Sequence, residues 1–480
     1  MGKIKRLAGE TALYGLGSIL PRAINFLLVR PHTDVFAPEE YGVITNLYAY
    51  ATFINVIFTF GMETAYFRFI SKSENDEKRI FDLAQTTVVT ISFVLTLLFI
   101  IFYKPIANEL SLENHPEYII WFALILFVDA VAAIPFARLR FQKKALQFAL
   151  GKVINIAILV SINLYFVYFA YDPSIGVGFV FMANLIANCF YILFFAPLLW
   201  TWRPAYDKTI SPQMFSYSYP IMITGLAGMT NETFSRLTLQ WWLPQNFYFG
   251  KSSDYALGVF GACYKFAMLM NLAVQAFRLA AEPFFFSNAA DKSSPVLFAR
   301  INHYFIVVCC VIFLGVSINI DVLKHLLGDP KYWEGLTIVP ILLLGYLFMG
   351  VYFNMSTWFK LTDKTYFGTI LAIGGAVITM AGNFILIPVA GYMGSSIVTL
   401  ICYASMAIAC YLLGQKYYPI PYQVGTALLY IAATTVVVYT TLNIDIPGAI
   451  ASFAFHQAIL LAYLFVIYLL ERKHFRSTTP

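Results

Sequence analysis

Charged side chains are scarce in this sequence. Only 12% of its 480 residues are Asp, Glu, Lys or Arg, whereas a soluble globular protein carries roughly 25%. Hydrophobic residues make up 60% of the chain, which is more than a single globular core can hold. They fall into runs long enough to cross a hydrocarbon layer, for which about 20 residues suffice. The composition excludes a soluble globular protein and indicates a membrane protein that crosses the bilayer many times.

Several chemical signatures are missing from the sequence. It contains no GxxxxGK[ST] phosphate-binding loop, which excludes an ATP-driven transporter within this chain. The six histidines are scattered without metal-ligand spacing, and the six cysteines all lie inside apolar runs, where they act as small core residues. We therefore expect no cofactor, no metal site and no enzymatic activity. The expected partners include the lipid bilayer and exclude nucleic acid.

The apolar runs predict an all-α integral membrane protein with about fourteen transmembrane helices. No loop between them is long enough to form a separate soluble domain. The predicted spans are 9–31, 41–66, 84–103, 118–136, 148–170, 175–199, 213–242, 255–285, 297–319, 336–357, 366–387, 392–413, 422–442 and 447–470.

Basic residues predict the orientation, because Lys and Arg accumulate on the cytoplasmic side. The alternate loops on one side hold only Lys104, Lys251, Lys324 and Lys331. The termini and the loops on the other side hold Lys3, Lys5, Arg6, Arg68, Lys72, Lys78, Arg79, Arg138, Arg140, Lys143, Lys144, Arg203, Lys208, Lys292, Arg300, Lys360, Lys364, Lys416, Arg472, Lys473 and Arg476. A single missed span would reverse every later loop. The asymmetry therefore predicts an even number of spans and two cytoplasmic termini.

An internal repeat relates the two halves of the chain. Residues 42–69 and 258–285, which are 216 positions apart, share seven identities in 28 ungapped positions, against roughly two by chance. This pairs span two with span eight, so the repeat unit has six spans and the two units share one orientation. We expect an N-terminal lobe at 1–205 (spans 1–6) and a C-terminal lobe at 206–415 (spans 7–12). Spans 13–14 and a cytoplasmic tail follow at 416–480.

Ionisable side chains well inside the predicted spans are few, and each is costly to bury in lipid. If all six faced lipid, they would cost roughly 15–21 kcal/mol together on insertion scales. The sequence therefore predicts a polar internal cavity, or a set of ion pairs that hold helices together. The six residues are Arg22, Asp129, Glu232, Arg236, Lys265 and Arg278.

Helical spacing offers partners to two of the arginines. Glu232 and Arg236 are four residues apart, and so are Arg278 and Glu282, so each pair shares a helix face. For these two arginines the sequence leaves both interpretations open, an ion pair within one helix or a contact with a ligand.

Arg22 and Lys265 have no carboxylate at helical spacing within their own spans, which makes them stronger candidates for ligand contact. Positive charges outnumber negative ones among the six, so the cavity should favour an anion. Arg suits bidentate contact with phosphate, and Lys acts as a point charge. Asp129 is a lone carboxylate in an apolar span. It could bind a proton or Na⁺ that drives transport, but a hydrogen bond to a neighbouring helix is the favoured interpretation.

Four segments resemble polysaccharide flippases of the Wzx type. Segment 36–42 (F-A-P-E-E-Y-G) resembles the entry to their second helix, and 60–65 (F-G-M-E-T-A) resembles the end of that helix. Segment 362–365 (T-D-K-T) resembles a short basic turn, and 383–394 (N-F-I-L-I-P-V-A-G-Y-M-G) resembles the exit of span eleven. The likeness covers most of the chain and places it with the multidrug/oligosaccharidyl-lipid/polysaccharide (MOP) flippase superfamily.

The resemblance implies two six-helix lobes around a cavity that opens alternately to each side of the membrane. It implies a lipid-linked oligosaccharide as substrate, carried on undecaprenyl pyrophosphate from the cytoplasmic to the outer leaflet of a bacterial inner membrane. Other polysaccharide-assembly proteins would be partners, and H⁺ or Na⁺ would be the coupling ion. The candidate substrate-binding residues are Arg22, Arg236, Lys265 and Arg278. The candidates for ion coupling are Asp129 and Glu232.

Two other functions stay open at this stage. A multidrug-extrusion antiporter would share the fold, but that class exports cations and favours acidic cavities. A membrane polysaccharide polymerase or ligase would need a sizeable outer loop for its chemistry. The predicted outer loops are short and carry no paired catalytic carboxylates or histidines.

Overall fold

The structure is a computed structural model that describes residues 15, 17, 19–72, 76–288 and 294–476, and every regular element of secondary structure in this part of the chain is a helix. The beginning of predicted span one and four of the predicted cytoplasmic basic residues (Lys3, Lys5, Arg6 and Lys292) lie outside the described residues.

The first half of the chain contains ten described helices. They are α1 (19–26), α2 (Val29–Val35), α3 (Pro38–Thr59), α4 (Met62–Lys72), α5 (Glu77–Ile101), α6 (Tyr103–Glu109), α7 (Glu117–Phe141), α8 (Ala145–Phe169), α9 (Gly178–Phe194) and α10 (Ala196–Thr201).

The remaining α-helices follow from residue 210 onward. They are α11 (Ile210–Trp242), α12 (Ser253–Asn288), α13 (Ser294–Ile318), α14 (Ile320–Leu323), α15 (Val339–Met355), α16 (Thr357–Leu361), α17 (Tyr366–Tyr417), α18 (Val424–Leu442) and α19 (Ala449–Arg476). Two 3-10 helices, Lys324–Leu326 and Pro330–Ile338, connect α14 to α15.

Ten helical stretches of the described chain are long and apolar enough to cross a membrane. One of them is the 52-residue α17, which Gly391 interrupts with a φ of +56°. It therefore corresponds to two predicted spans, 366–387 and 392–413. The shorter apolar helix α9 and the 33-residue α11 correspond to two further predicted spans. The all-α membrane fold is confirmed, and the count of fourteen stays a prediction.

The second predicted span, 41–66, is broken near its end. Its helix starts earlier than predicted, with Pro38 in the first turn and the Glu40 carboxylate accepting a hydrogen bond from the Ala37 backbone N–H at 2.9 Å. It stops where Phe60 and Gly61 both adopt positive φ, +52° and +65°. This turn separates α3 from α4. The sequence pattern missed it because the apolar run continues through the turn.

The C-terminal pair of helices, α18 and α19, packs against the second half of the chain through α13. Glu471 of α19 is buried and accepts a hydrogen bond from the Tyr430 hydroxyl of α18 at 2.7 Å. The same carboxylate oxygen lies 2.8 Å from Nε2 of His303 in α13. These contacts fix the end of α19 against both neighbouring helices.

Candidate functional site

A polar cavity of about 210 Å³ lies where helices of the first half of the chain (α1, α2, α3, α8 and α9) meet α11 and α12 of the second half. Its lining residues are Asn25, Leu28, Val29, His32, Tyr41, Ile44, Thr45, Tyr48, Leu159, Asn163, Val180, Asn184, Arg236, Gly261, Tyr264 and Lys265. We call this space the central cavity. It brings two of the candidate residues, Arg236 and Lys265, into one site.

The first half of the chain contributes neutral polar groups that hold each other in place. The Asn184 side-chain amide donates to the Tyr48 hydroxyl at 2.7 Å. Nε2 of His32 lies 3.0 Å from Oδ1 of Asn163. Each pair connects two helices, so these polar side chains are positioned before any ligand arrives.

The two cations of the central cavity come from α11 and α12. The guanidinium of Arg236 lies 4.7 Å from the centre of the Tyr264 ring, and its buried Nε has no hydrogen-bond partner within the described chain. Lys265, one residue after Tyr264, forms no ion pair with any carboxylate that the structure describes. Two cations that face one cavity, with no carboxylate partner in the described part of the chain, create a site for an anion.

Arg22 lies outside the lining of the central cavity. Its side chain is exposed, and so is that of Asn25, three residues later, which does line the cavity. Because residues three apart share a helix face, Arg22 stands one turn beyond the cavity at its open end. The candidate substrate-binding residues included Arg22 from the first half of the chain. The structure instead gives both cations of the cavity to the second half.

Arg278 also lies apart from the central cavity. Its guanidinium packs 4.8 Å from the centre of the Phe353 ring, in a small pocket between α12 and α15. The ion pair with Glu282, one of the two interpretations left open by the sequence, is not formed; the Glu282 carboxylate binds Nζ of Lys360 at 2.6 Å. Helical spacing within α12 could not indicate that Lys360 of α16 would bind Glu282.

The other possible pair within a helix, Glu232 with Arg236, is also absent among the described residues. Glu232 is half-buried on α11, yet it forms no ion pair with Arg236. The guanidinium of Arg236 turns toward the Tyr264 ring instead. Arg236 is therefore available to a ligand.

Asp129 belongs to a separate polar cluster between α7, α8 and α9. Its carboxylate accepts a hydrogen bond from the Asn188 amide at 3.0 Å, and Asn188 in turn accepts one from Asn155 at 3.2 Å. Lys152 is a charged neighbour of Asp129, and its ammonium lies 4.0 Å from the centre of the Phe136 ring. The structure shows that Lys152 faces this cluster.

The polar cluster is linked to the central cavity through α9. Asn188, which binds Asp129, lies one helical turn from Asn184, which binds Tyr48 in the cavity wall. The sequence signal for this link was a pair of asparagines four residues apart in an apolar helix. We did not single them out, because uncharged amides in a span are common.

The predicted outer end of the central cavity is closed. The hydroxyl of Tyr332 donates to the Phe36 carbonyl at 2.7 Å, and the backbone N–H of Asp329 donates to the Thr33 carbonyl at 3.1 Å. The opening lies at the other end, beside exposed Asn25. These contacts hold α2 against the segment before α15 at the predicted outer end, and the exposed lining residue Asn25 lies toward the predicted cytoplasmic side.

Comparison with known proteins agrees with this architecture. The sequence profile of the family described as "Polysaccharide biosynthesis protein" matches residues 7–288, more than half of the chain. The chain belongs to this family. No curated protein matches the sequence.

Solved structures share the fold at low sequence identity. The "Lipid II flippase MurJ, inward closed conformation" matches with a TM-score of 0.74 and 14% identity, covering 97% of this chain and 100% of that one. A "multidrug resistance MATE family transporter of the MOP superfamily" in an inward-facing conformation matches with a TM-score of 0.65 and 14% identity, covering 88% and 95%. The multidrug transporter DinF-BH, solved "in complex with R6G", reaches a TM-score of 0.61 at 13% identity, covering 87% and 96%.

The family match confirms the expected relation to polysaccharide biosynthesis proteins, and the chain shares its fold with the MurJ and MATE structures. The protein is a multi-pass membrane protein.

Proposed function

We propose that the protein is a flippase for lipid-linked oligosaccharides, which moves undecaprenyl-pyrophosphate-linked repeat units from the cytoplasmic to the outer leaflet of the bacterial inner membrane. The observation that carries this proposal is a pair of cations in the central cavity, Arg236 and Lys265, which have no carboxylate partner among the residues that the structure describes. A pyrophosphate carries the negative charge that would balance these two cations. Arg236 would contact it through the planar guanidinium, and Lys265 as a point charge.

The wall from the first half of the chain offers neutral hydrogen-bonding groups to the same ligand. Its amide and hydroxyl groups, from Asn163, Asn184 and Tyr48, offer hydrogen bonds to phosphate oxygens and sugar hydroxyls. A ligand that contacts both halves at once favours the state in which both close around it. This is the alternating-access role proposed for the lobes at 1–205 and 206–415.

Cavity size limits what can enter in this conformation. Pockets for drug-sized ligands measure about 300–1,000 Å³, and the central cavity measures about 210 Å³. It can hold the charged linkage, while the sugars extend through the open end beside Asn25. Exposed Arg22, one turn further out, is placed to meet the anion first and guide it inward.

Asp129 is the proposed coupling group. It lies outside the central cavity but connects to it through Asn188 and Asn184 on α9. Binding of H⁺ or Na⁺ at this carboxylate would change the hydrogen bonds along that face of α9 and so reach Tyr48. Glu232, half-buried beside the cavity, is the second candidate for this role.

The remaining expectations complete the proposal. Both termini lie in the cytoplasm, the protein catalyses no covalent chemistry, and it works beside other polysaccharide-assembly proteins. The basic bias of the loops and the family match support this placement.

A surface-polysaccharide assay tests the proposal in a strain that lacks the native gene. We expect Arg236→Ala and Lys265→Ala each to lower polysaccharide display about tenfold or more, since a charge-assisted contact contributes roughly 1.5–3 kcal/mol. Lys364→Ala, at a cytoplasmic turn where Lys364 packs on Tyr417, is the matched control and should keep full display. Membrane expression is measured for every variant.

The same strain separates the two transporter functions. Full display by well-expressed Arg236→Ala and Lys265→Ala variants would contradict the proposal. Resistance to cationic drugs conferred by the protein, with no effect on surface polysaccharide, would assign it to the multidrug-extrusion antiporters instead.

A further inference from the structure

A second cavity, of about 330 Å³, lies between α13, α15, α17 and α18. All four helices belong to the second half of the chain. The lining of the cavity is mostly apolar. Three lining residues, Ile408, Leu412 and Leu428, are more than half exposed. Because a wall residue that is also exposed marks an opening, the cavity opens sideways between α17 and α18. In a membrane protein such an opening faces lipid.

Polar groups gather at one end of this lateral cavity. They are Asn302 and His303, near the start of α13, and Gln423, directly before α18. Both helices start on the predicted cytoplasmic side, so the polar end lies toward the inner headgroups and the apolar part toward the acyl chains. This polarity matches a lipid of the inner leaflet.

Asn302 identifies the kind of headgroup. Its side chain is 3% exposed and lines the cavity, and its Oδ1 has no hydrogen-bond partner among the described residues. A buried carbonyl oxygen without a donor is unfavourable. The structure therefore favours a ligand that brings an N–H or O–H group to Oδ1.

The charge nearby favours a cationic donor. Nε2 of the neighbouring His303 lies 2.8 Å from the buried carboxylate of Glu471, and the second oxygen of that carboxylate has no partner within the described chain. A primary ammonium is a hydrogen-bond donor that also carries positive charge.

We propose that the lateral cavity binds a phosphatidylethanolamine of the inner leaflet, with one acyl chain between α17 and α18 and its ammonium donating to Oδ1 of Asn302. The lipid would fill the space beside α18 and connect this helix to α13 and α17. This site is independent of the substrate proposed for the central cavity, because the two cavities share no lining residue.

Phosphatidylcholine provides a matched probe, because its quaternary ammonium has no N–H to donate. The full-length protein is reconstituted in nanodiscs that contain both lipids in equal amounts with identical acyl chains, extracted, and examined by native mass spectrometry. We expect retained phosphatidylethanolamine to exceed phosphatidylcholine about tenfold, as for one charge-assisted hydrogen bond.

Two variants distinguish recognition of the lipid headgroup from binding of the acyl chain. Asn302→Leu removes the acceptor at similar volume and should abolish the preference while both lipids are still retained. Leu428→Trp fills the cavity and should lower retention of both. Leu429→Trp is the control for it, since Leu429 is exposed outside the cavity lining and the change should leave retention unchanged. Size-exclusion profiles check that each variant is folded.

Three results would overturn the proposal. They are equal retention of the two lipids by the wild-type protein, an unchanged preference in Asn302→Leu, and retention of an added undecaprenyl phosphate in place of phosphatidylethanolamine. The first two results leave the flippase proposal unaffected, because it depends on Arg236 and Lys265; the third would instead place the lipid carrier of that substrate in the lateral cavity.

Discussion

Gly42 and Gly258 face each other where α3 and α12 cross. A Cβ atom on Gly258 would lie 1.8 Å from the Pro38 carbonyl oxygen, and one on Gly42 would lie 2.1 Å from the Asp254 carbonyl oxygen. The two glycines occupy equivalent positions in the internal repeat, 216 residues apart. Their contact is what a two-fold relation between the halves would produce near its axis. Only glycine allows the backbones to come this close.

The first prediction concerns closure of the outer end. Gly258→Ala should keep α3 and α12 apart there, because the obstructing atoms are backbone and cannot turn away. In a variant whose native cysteines are replaced, a cysteine introduced at Val29, in the cavity wall, should then react faster with a membrane-impermeant maleimide added outside. Gly228→Ala, which has open space around it, should leave the rate unchanged. An unchanged rate in Gly258→Ala would show that this contact does not hold the outer end closed.

A second prediction separates the two basic residues of α12. Lys265 lines the central cavity, whereas Arg278 packs on Phe353 in a different pocket. Lys265→Ala should weaken binding of undecaprenyl pyrophosphate about tenfold or more, and Arg278→Ala should weaken it less. Native mass spectrometry with a titrated lipid measures both. Equal losses would place Arg278 in the binding site after all.

The third prediction tests Asp129 as the coupling group. Asp129→Asn should abolish transport driven by an ion gradient while substrate binding persists. It also leaves Lys152 without its buried partner charge, which by itself destabilises a protein. The double variant Asp129→Asn/Lys152→Met removes both charges and should recover stability without recovering transport. Restored transport in the double variant would reduce the pair to a structural role.

Gly391 provides a stability test. Its φ of +56° turns the chain within α17, and the Tyr248 hydroxyl accepts a hydrogen bond from the adjacent Tyr392 N–H at 3.1 Å. Gly391→Ala forces a side chain into this backbone region and toward the Tyr248 ring, which should destabilise the protein by about 1–3 kcal/mol. Gly374→Ala, in open space on the same helix, should not. Thermal unfolding in detergent compares the two. Equal midpoints would contradict a structural role for this turn.

Most of the fold could be predicted from the sequence, because a helix that crosses the lipid needs about 20 mostly apolar residues. Apolar runs predicted the helices, and segment 383–394 predicted the turn that Gly391 makes. The turn at Phe60 and Gly61 was missed, since hydrophobicity does not change where the backbone bends.

The candidate site was harder to predict, because side-chain partners come from other helices. Lys265 and Arg236 could be singled out as buried charges, and the structure brings them together. Spacing along one helix could not reveal that Lys360 would take Glu282 away from Arg278. It also could not reveal that Lys152 would face the cluster around Asp129. These contacts depend on tertiary packing, which a repeat or a helical period does not encode.

A transport assay in proteoliposomes would show whether the protein moves a lipid-linked oligosaccharide across the bilayer. The purified protein is reconstituted with an undecaprenyl-pyrophosphate-linked oligosaccharide, and sugar that reaches the opposite leaflet is detected with an impermeant lectin or glycosidase. We expect the wild-type protein to move the lipid. The Arg236→Ala/Lys265→Ala double variant, equally well reconstituted, should not move it. Transport by that variant at the wild-type rate would contradict the proposed function.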